Sequence, residues 1–569
     1  MHAGVTAVGG RPGLRRAGRR RKLVRRAAPL GALAVVAFVA GLILAGGPGR
    51  AERQLVTQYV DSWTHGDYAH MYSLLDAASR RRMPQTQFVQ ALDAAAATAT
   101  LVSITHGKVG SRSGGAIPVR MRVVTHIFGA LSEVLEVPLS GTGSSARIRF
   151  SNALLFPGLR PGEQLTRQVS LPPRADLLAR DGTPLAQGPT RTSPIPDVAG
   201  QIVGTLGPIP ATDLSAYEAR GYPPDAQVGL NGLEHVFEDR LAGTPGGKLL
   251  AGHRSLASVR PVAGTTVTTT ISPPLERAAV AAMAGRYAGI AAMDPRTGAL
   301  LALAGVAFSA LQPPGSTMKI VTATGALEAG IVKLTDTFPI QTSTTLEGFT
   351  LHNANGEACG GTFLNAFAVS CNSVFAPLGA KLGAARLVDI AQRFGFNQPP
   401  SIPGASEPTI PSAKTIGGPL SVGSSAIGQG MVQSSALEMT DVAATIAMGG
   451  RRPLPTLVLH ARPRFVHVVS RRIARLVQKL MIAVVEFGTG TVAQIPGVVV
   501  AGKTGTAELR NTAAPGASSP QNTDSWFVGY APAGHPRIVV GALFPAQGAG
   551  ATTAAPAVHD VMVAALAAH

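Results

Sequence analysis

Residues 313–321 read PPGSTMKIV and place Ser316 three residues ahead of Lys319. A serine after Pro-Gly is a common N-terminal cap and the residues that follow favour a helix, so the stretch can be an ordinary helix start. Positions i and i+3 also share one face of a helix, so the same stretch can set an amine beside a serine hydroxyl. A serine nucleophile needs such a neighbouring base. Residues elsewhere in the chain must decide between these interpretations.

Two further motifs follow this stretch. Residues 370–372 read Ser-Cys-Asn, the only Ser-x-Asn in the chain, and residues 503–505 read Lys-Thr-Gly, the only occurrence of that triplet. Chance would place a Lys-Thr-Gly triplet in fewer than about one chain in ten. Lys319 is also the only lysine with a serine three residues ahead of it. The three motifs together, in this order, favour a catalytic interpretation.

Ser-x-x-Lys, Ser-x-Asn and Lys-Thr-Gly in this order resemble the motifs of penicillin-binding proteins and serine β-lactamases. Their surroundings are similar to class B penicillin-binding transpeptidases, notably AAMDPRTGALLALAG, NANGEACGGTF, AIGQGMVQSSALEM and DSWFVGYAP. Upstream, SWTHGDYAHMYSLL and NALLFPGLRPGE resemble the NTF2-like spacer of the methicillin-resistance penicillin-binding protein and its actinobacterial relatives. The resemblance extends from about residue 51 to the C-terminus.

Within this resemblance, Ser316 would be the nucleophile and Lys319 its base. A serine hydroxyl must lose its proton during attack, and a lysine accepts that proton only when its amine is uncharged. Burial and a neighbouring cation such as Lys503 lower the pKa of a lysine, so we expect a lowered pKa for Lys319. Ser370 would relay a proton between one of these lysines and the departing amine. Asn372 would hold Lys319 and the substrate backbone, or would instead cap the helix that follows it.

The segment around Lys503 is expected to bind the substrate. It should form an edge strand up to Thr506, to which an extended peptide can add as a further strand. Gly505 would let the substrate backbone approach closely. The hydroxyls of Thr504 and Thr506 suit a terminal carboxylate together with the Lys503 charge. Backbone N–H groups of Ser316 and Thr506 would form an oxyanion hole.

The pattern of segments along the chain, together with this resemblance, predicts a multidomain α+β protein with a membrane anchor. It predicts an NTF2-like α+β spacer, an extended, mostly-β pedestal and a penicillin-binding/serine β-lactamase-like transpeptidase domain, in which an antiparallel sheet has helices on both faces plus a helical lobe. The expected boundaries are 1–26 for a basic cytoplasmic tail, 27–49 for a transmembrane helix, 51–158 for the spacer, 159–265 for the dimerisation or pedestal domain and 266–569 for the transpeptidase domain.

The start of the chain predicts membrane attachment. Nine arginines and lysines lie between Arg11 and Arg26 with no acid among them, and the next 23 residues carry no charge. A helix of that length spans a hydrocarbon core of about 30 Å, with the basic flank in the cytoplasm. The alternative is a cleaved secretory signal, whose apolar region is usually shorter. We therefore expect a single-pass membrane protein with its bulk outside the cytoplasm.

Several classes of site are not expected. The chain carries a net charge of +19, but the charge beyond the first segment is scattered, so no nucleic-acid partner is predicted. The histidines and cysteines lack metal-ligand spacing, no phosphate-binding loop occurs, and no cofactor is expected. Cys359 and Cys371 are the only cysteines. Their pairing stays open at this stage, and Cys371 is expected to pack inward as a small hydrophobe.

The resemblance implies peptidoglycan D,D-transpeptidation, and no glycosyltransferase domain is expected. It also implies D-Ala-D-Ala stem peptides, β-lactams as covalent inhibitors and a lipid-linked peptidoglycan polymerase as partners, and the start of the chain adds the membrane. Two alternatives stay open. A β-lactam hydrolase would need a group that activates water for deacylation, which the sequence does not reveal, and a non-catalytic β-lactam sensor or scaffold would bind without turnover.

Overall fold

The computed structural model describes residues 49–509 and 520–567. These residues form two compact units. The first contains the described residues up to Ser170 together with Ser215–Tyr222 and Pro245–Arg260, and the second contains Leu171–Leu214, Pro223–Thr244 and the chain from Pro261 onward. The predicted pedestal, 159–265, is therefore shared between the two units. The predicted cytoplasmic tail and all but the last residue of the predicted transmembrane helix lie outside the described residues.

Seventeen α-helices are described, and the chain orders them as α1 (Arg50–Thr64), α2 (Tyr68–Ser73), α3 (Ala77–Arg82), α4 (Gln85–Ala99), α5 (Pro196–Ile202), α6 (Leu214–Ala219), α7 (Gly232–Val236), α8 (Glu238–Leu241), α9 (Pro273–Met283), α10 (Lys319–Glu328), α11 (Phe363–Ala368), α12 (Asn372–Leu382), α13 (Ala384–Phe394), α14 (Pro419–Ala426), α15 (Ala436–Ala447), α16 (Arg471–Glu486) and α17 (Ala554–Ala567). Within the described ranges, none of these helices is both long enough and apolar enough to cross a bilayer.

The described strands are β1 (Leu101–Val109), β2 (Ala116–Thr125), β3 (Gly129–Ser140), β4 (Arg147–Ile148), β5 (Leu165–Ser170), β6 (Leu177–Leu178), β7 (Pro184–Ala186), β8 (Leu206–Pro208), β9 (Gln227–Gly229), β10 (Gly246–Ala251), β11 (Arg254–Val259), β12 (Val267–Thr268), β13 (Gly289–Asp294), β14 (Ala299–Gly305), β15 (Thr337–Gln341), β16 (Ser343–Leu346), β17 (Phe349–His352), β18 (Cys359–Thr362), β19 (Arg451–Pro453), β20 (Phe465–His467), β21 (Ala501–Glu508), β22 (Thr523–Ala531) and β23 (Ile538–Phe544).

The first unit packs helices against an antiparallel sheet of order β1-β2-β3-β4. Tyr59 and Trp63 lie four residues apart on α1 and are both buried, as the helical spacing of apolar residues predicted. Strand β2 buries alternate side chains from Ile117 to Val123, which is the pattern of a sheet with one covered face. A second sheet, of order β11-β10-β5, belongs to the same unit. This sheet explains why part of the predicted pedestal joins the first unit.

The second unit is built on an antiparallel sheet of order β14-β13-β23-β22-β21. Both faces of this sheet are covered. Ile290 and Ala292 face a cluster that includes residues of α9 and α17, whereas Ala291 and Met293 face a cluster that includes α15. Central strands buried on both faces read as continuous apolar runs, which is why GIAAMD carries no polar alternation. The predicted hairpin β13–β14 and the sheet with helices on both faces are confirmed.

A helical lobe is inserted between β14 and β21. It contains helices α10 to α14 and α16 and two small hairpin-like ladders, β15 with β18 and β16 with β17. Helix α10 is buried from Lys319 through Leu327, so it forms the centre of this lobe. The long insertion thereby brings segments that are distant in sequence to the side of the sheet where β21 is the last strand.

Candidate active site

Ser316 lies in a 3₁₀ turn, Gly315–Met318, that leads directly into α10. Gly315 has φ of +53°, a conformation that favours glycine, and its N–H donates to the carbonyl of Gly428 at 2.8 Å. A methyl group at Gly315 would lie 2.8 Å from the Thr506 carbonyl oxygen. The turn that carries Ser316 is thus packed tightly against strand β21. Ser316 caps no helix through its side chain, so the ordinary helix-start interpretation does not describe its role here.

Lys319 is completely buried, and its amine is held by the Ser-Cys-Asn segment. Its Nζ donates to the Ser370 carbonyl at 2.6 Å, to Asn372 Oδ1 at 2.7 Å and to Ser370 Oγ at 3.2 Å. Among the described groups, these are the hydrogen-bond partners of Lys319, and Ser316 is not one of them. Burial, and then the charge of Lys503, holds the pKa of Lys319 well below its usual value. This is the direction that the sequence analysis expected.

Ser370 occupies the turn between α11 and α12 with φ of +63°. Its N–H donates to the Phe367 carbonyl at 3.1 Å, and the next N–H, of Cys371, donates to the Ala366 carbonyl at 2.9 Å. This pair of bonds is the Schellman ending of a helix, which requires a left-handed residue at the position that Ser370 fills. A serine tolerates this conformation less well than glycine, so the strained backbone is held in place by the helix end.

Asn372 is the first residue of α12 and does not cap it. Its Oδ1 accepts from Lys319, and its Nδ2 donates to the His352 carbonyl at 2.9 Å. The cap is provided by Asn353, whose Oδ1 accepts from the Ser373 N–H at 2.8 Å. The helix-cap alternative for Asn372 is therefore wrong, because another asparagine satisfies the free N–H and leaves the Asn372 amide available to Lys319.

Cys359 and Cys371 form a disulfide with a Cα–Cα distance of 5.8 Å. Cys371 is buried, as expected, but as a half-cystine rather than as a free thiol. The bond ties the residue between Ser370 and Asn372 to strand β18. The sequence left the pairing of the two cysteines open. The fold settles it, because Cys359 at the start of β18 lies next to Cys371, which directly precedes α12.

Lys503 also contacts Ser370. Its Nζ donates to Ser370 Oγ at 2.9 Å and to the Thr504 carbonyl at 3.1 Å. Lys503 is completely buried, and burial lowers its pKa to about 7. The Phe367 ring centroid lies 5.5 Å from its Nζ, which adds to the apolar surroundings of the amine.

The three residues after Lys503 differ in what their side chains can offer a ligand. Thr504 is buried and its Oγ1 lies 2.5 Å from Thr489 Oγ1. Thr506 is half-buried, and its Oγ1 accepts from the Gly550 N–H at 3.3 Å. A methyl group at Gly505 would meet the Pro314 carbonyl oxygen at 2.9 Å. Gly505 is therefore required first of all for packing against the turn that carries Ser316.

Strand β21 lies at the edge of its sheet, as predicted. Within the described ranges it pairs with β22 alone, and Gly505 lies opposite Trp526. The free edge leaves backbone groups to which an extended peptide can add.

Sequence reasoning missed Asn353 and Thr489. Asn353 begins NANGEACGGTF, so that segment was noticed, but nothing marked its asparagine as the cap of α12. Thr489 lies in a Gly-Thr-Gly-Thr loop and carries no signal of its contact with Thr504.

Three family matches cover most of the described chain. Residues 288–563 match the penicillin-binding protein transpeptidase domain, residues 174–255 match the penicillin-binding protein dimerisation domain, and residues 51–163 match the NTF2-like N-terminal transpeptidase domain.

Named relatives and solved structures agree with these matches. The chain is 31% identical over 424 residues to the peptidoglycan D,D-transpeptidase PbpA of Mycolicibacterium smegmatis, covering 62% of this chain and 80% of that protein. It is 31% identical over 376 residues to PbpA of Mycobacterium tuberculosis, covering 53% of this chain and 73% of that protein.

The D,D-transpeptidase domain of a peptidoglycan glycosyltransferase from Eggerthella lenta superposes with a TM-score of 0.57 at 29% identity, over 70% of this chain and 99% of that one. A ceftriaxone acyl-enzyme complex of penicillin-binding protein A from M. tuberculosis gives 0.56 at 26% identity, over 69% and 98%. The chain belongs to the penicillin-binding protein family of peptidoglycan D,D-transpeptidases.

Proposed function

We propose that this chain cross-links peptidoglycan by D,D-transpeptidation, with Ser316 as the nucleophile. The observation that carries the proposal is the buried amine of Lys319, whose pKa burial holds well below its usual value and which lies at the end of the turn that presents Ser316, hydrogen-bonded to both polar residues of the Ser-Cys-Asn segment. A neutral amine in this position can accept a proton from a hydroxyl of its own helical turn. Ser370, which contacts both lysines, is proposed as the proton relay.

The proposed first step is acylation. Ser316 Oγ attacks the carbonyl carbon of the penultimate D-alanine and passes its proton to Lys319. The N–H groups of Ser316 and Thr506 are proposed to stabilise the tetrahedral oxyanion. A single donor of this kind contributes about 3 kcal/mol in other acyl-transfer enzymes. The C–N bond then breaks, and the terminal D-alanine leaves after its amine has received a proton through Ser370. An acyl-enzyme ester on Ser316 results.

The proposed second step transfers the acyl group. An amine of a neighbouring strand attacks the ester carbonyl, loses its proton to the same base, and displaces Ser316, which regains the proton. The donor peptide is proposed to lie as an added strand along the free edge of β21, where Gly505 admits its backbone. Its terminal carboxylate would meet Lys503 and the Thr506 hydroxyl. Thr504, whose hydroxyl is engaged by Thr489, is proposed to position the strand and Lys503.

A β-lactam resembles the donor peptide and would acylate Ser316 by the same step. Two other functions use this acylation differently. A β-lactam hydrolase would release the acyl group to water, and a sensor or scaffold would keep it without acting on peptides. The similarity to named peptidoglycan D,D-transpeptidases favours the transpeptidase.

One experiment separates these functions. The purified chain is labelled with fluorescent penicillin, chased with unlabelled drug, and then given a D-Ala-D-Ala thioester mimic with an acceptor amine. Stable label that is lost in Ser316→Ala, together with acyl transfer to the amine, is the expected result. Rapid loss of label would establish hydrolysis, and stable label without turnover would establish a sensor.

We further propose that residues 27–49 anchor the chain in the membrane as a single span, with its bulk outside the cytoplasm. The proposal rests on the 23 uncharged residues and the basic flank ahead of them. We propose the same domain boundaries as above, with the spacer at 51–158, the dimerisation or pedestal domain at 159–265 and the transpeptidase domain at 266–569. A lipid-linked polymerase is the proposed protein partner. Carbonate extraction of membranes should leave the full chain in the pellet and release a chain that lacks residues 1–49. Release of both would refute the anchor.

A further inference from the structure

A cavity of about 220 Å³ in the second unit is separate from the catalytic residues. It lies between the loop that follows α13, the first turns of α15 and the strand β19. Its lining includes Glu438 and Asp441 from α15 and Arg452 from β19. None of the residues with a proposed catalytic or substrate-binding role lines it.

Three charged side chains at this cavity have unpaired atoms. Glu438 is only 9% exposed and Asp441 only 5%, yet one carboxyl oxygen of each, Oε1 and Oδ1, has no hydrogen-bond partner among the described residues. The Nε of Arg452 is likewise buried without a partner, although its Nη1 donates to the Phe394 carbonyl. Buried polar groups are almost always paired, because leaving one unpaired is unfavourable by about 1–3 kcal/mol. Two acceptor oxygens and one N–H donor at this cavity are therefore free to bind an occupant.

Because Gly395 has no side chain, Arg452 and Glu438 have room to lie close together beside it. A methyl group there would lie 2.0 Å from Arg452 Nη1 and 2.5 Å from Glu438 Oε1. Even so, Arg452 does not form a close ion pair with either acid among the described contacts, so the two carboxyl groups outnumber the cation at the cavity. With both acids ionised, the lining carries one net negative charge and is complementary to a single positive charge that brings hydrogen-bond donors.

The protonation of the acids agrees with this arrangement. Burial raises the pKa of Glu438 to about 7. Burial, and then the charge of Glu438, raises the pKa of Asp441 well above its usual value. The pKa values of both acids are raised although the charge of Arg452 lowers them, so the protonated acids are favoured here, and an ammonium ion bound between them would favour their ionised forms.

Much of the remaining wall is apolar, although Gln398, Ser401, Ser406 and Ser435 also line the cavity. Pro400, Ile402 and Leu454 are among the residues that line the cavity with carbon atoms. A volume of this size holds roughly seven water-sized groups, given about 30 Å³ for each. A fitting occupant would thus combine a compact apolar body with one cationic head.

We propose that this cavity is a binding site for a small organic ammonium ion. The ammonium group would donate hydrogen bonds to the free carboxyl oxygens of Glu438 and Asp441, and the carbon body would pack on the proline, isoleucine and leucine walls. A hydrogen-bond acceptor on the ligand could take the remaining Nε–H of Arg452. Binding at this site does not require acylation of Ser316.

The site also borders the segment that supports Ser316. Ser435 lines the cavity, and the neighbouring Ser434 exchanges two backbone hydrogen bonds of 2.9 Å with Gln312, four residues ahead of Ser316. Binding can therefore be followed both directly and through the rate of penicillin acylation, but the proposal itself concerns only binding.

Calorimetric titration of the full chain in detergent with benzylammonium tests the proposal. Benzyl alcohol, which has nearly the same shape without the charge, is the matched ligand. We expect saturable binding of benzylammonium, at least ten-fold weaker binding of benzyl alcohol, and unchanged benzylammonium binding to Ser316→Ala. The variants Glu438→Gln and Asp441→Asn keep the shape of the side chains and should each weaken benzylammonium binding at least ten-fold.

Folding of each variant is checked by its labelling with fluorescent penicillin. Should the acid variants not fold, Ala405→Phe, at a half-buried wall position, fills the cavity and should abolish binding by itself. No saturable binding to the wild-type chain would show that the cavity holds water only and would overturn the proposal. Equal binding of the alcohol, or unchanged binding in folded variants, would overturn it as well.

Discussion

Lys319 and Lys503 donate to the same hydroxyl, Ser370 Oγ, at 3.2 and 2.9 Å. Both amines are completely buried, one on a helix of the lobe and the other on the edge strand of the sheet. Two ammonium charges this close in an apolar setting repel strongly, which favours the loss of a proton from one of the amines. The shared hydroxyl provides the path by which a proton can pass from one amine to the other.

Replacing Lys319 by methionine should abolish fast acylation while preserving the fold. Methionine keeps much of the apolar stem but cannot accept the Ser316 proton, and general bases contribute about 10²- to 10⁴-fold in rate. Stopped-flow measurement of acylation by fluorescent penicillin should show a loss in that range. Lys381→Met, on the exposed side of α12, is the matched control and should acylate normally. Normal acylation by the Lys319 variant would exclude it as the base.

Acylation should have a bell-shaped pH profile. On the acid side the rate falls because Lys319 becomes protonated below its lowered pKa and can no longer act as a base. On the alkaline side it falls above about pH 7, where Lys503 loses the charge that attracts the substrate carboxylate. The second-order rate constant, measured from the lowest pH at which the chain stays folded up to pH 9, checks both limbs. A penicillin methyl ester, which lacks the carboxylate, should lose the alkaline limb, and a persisting limb would contradict the role of Lys503.

The buried carboxyl group of Glu276 should make the fold less stable at high pH. Burial raises its pKa to about 7 from a model-peptide value of 4.5, so the folded chain holds a proton there that the unfolded chain releases. Stability is therefore complete below pH 4.5 and is lost as the pH rises towards 7, by about 3 kcal/mol.

Glu276→Gln removes this titration and can still accept the Leu303 N–H, which Glu276 Oε2 binds at 2.7 Å. Its thermal midpoint should match that of the wild type near pH 5 and exceed it at pH 8. The exposed Glu407→Gln serves as the control and should follow the wild type at both values. An equal loss of stability on going from pH 5 to 8 in the Glu276 variant would contradict the assignment.

A methyl group at Gly505 should impair acylation through position alone. It would lie 2.8 Å from Trp526 Cβ and 2.9 Å from the Pro314 carbonyl oxygen, so β21 must move away from the turn that carries Ser316. We expect Gly505→Ala to lower the acylation rate at least ten-fold, since misplacements of about 1 Å commonly have effects of 10². Gly534→Ala, where the added carbon meets nothing within 4 Å, should leave the rate unchanged. A normal rate in Gly505→Ala would contradict the prediction, because it would mean that β21 and the turn accommodate the methyl group without displacing Ser316.

The disulfide between Cys359 and Cys371 should support both stability and acylation. A loop of this length gives a stabilisation of about 3 kcal/mol when closed by a disulfide. Replacing both cysteines by serine should lower the thermal midpoint and slow acylation, because the residue between Ser370 and Asn372 loses its attachment to β18. Dithiothreitol should have the same effect on the wild type and none on the double variant. An unchanged midpoint would mean that the surrounding packing holds the segment without the bond.

Much of the framework was predictable because it depends on local patterns. The hairpin around residues 295–298 follows from turn residues between two apolar runs, and α9 begins at its two prolines because proline suits a first helical turn. The motif order and the resemblance of the flanks indicated the transpeptidase family and the edge position of β21. Such features need only the residues near them in sequence.

The contacts that give the site its chemistry were not predictable in this way. Whether Asn372 would cap a helix or hold Lys319 depended on Asn353, and whether Thr504 would offer a free hydroxyl depended on Thr489. The cavity at Glu438 likewise arises only where α15 meets a loop and a strand from elsewhere in the second unit.

The sequence by itself determined which residue types are present, in which order, and on which kind of element each should lie. The tertiary structure alone decided that the Lys319 amine faces Ser370 and Asn372, that two cysteines meet, and that both lysines are fully removed from water. The physical reason is that spacing along a chain sets which side chains share a helix face or a strand face. Burial and proximity, which set a pKa and choose a hydrogen-bond partner, depend on packing between segments that are far apart in sequence.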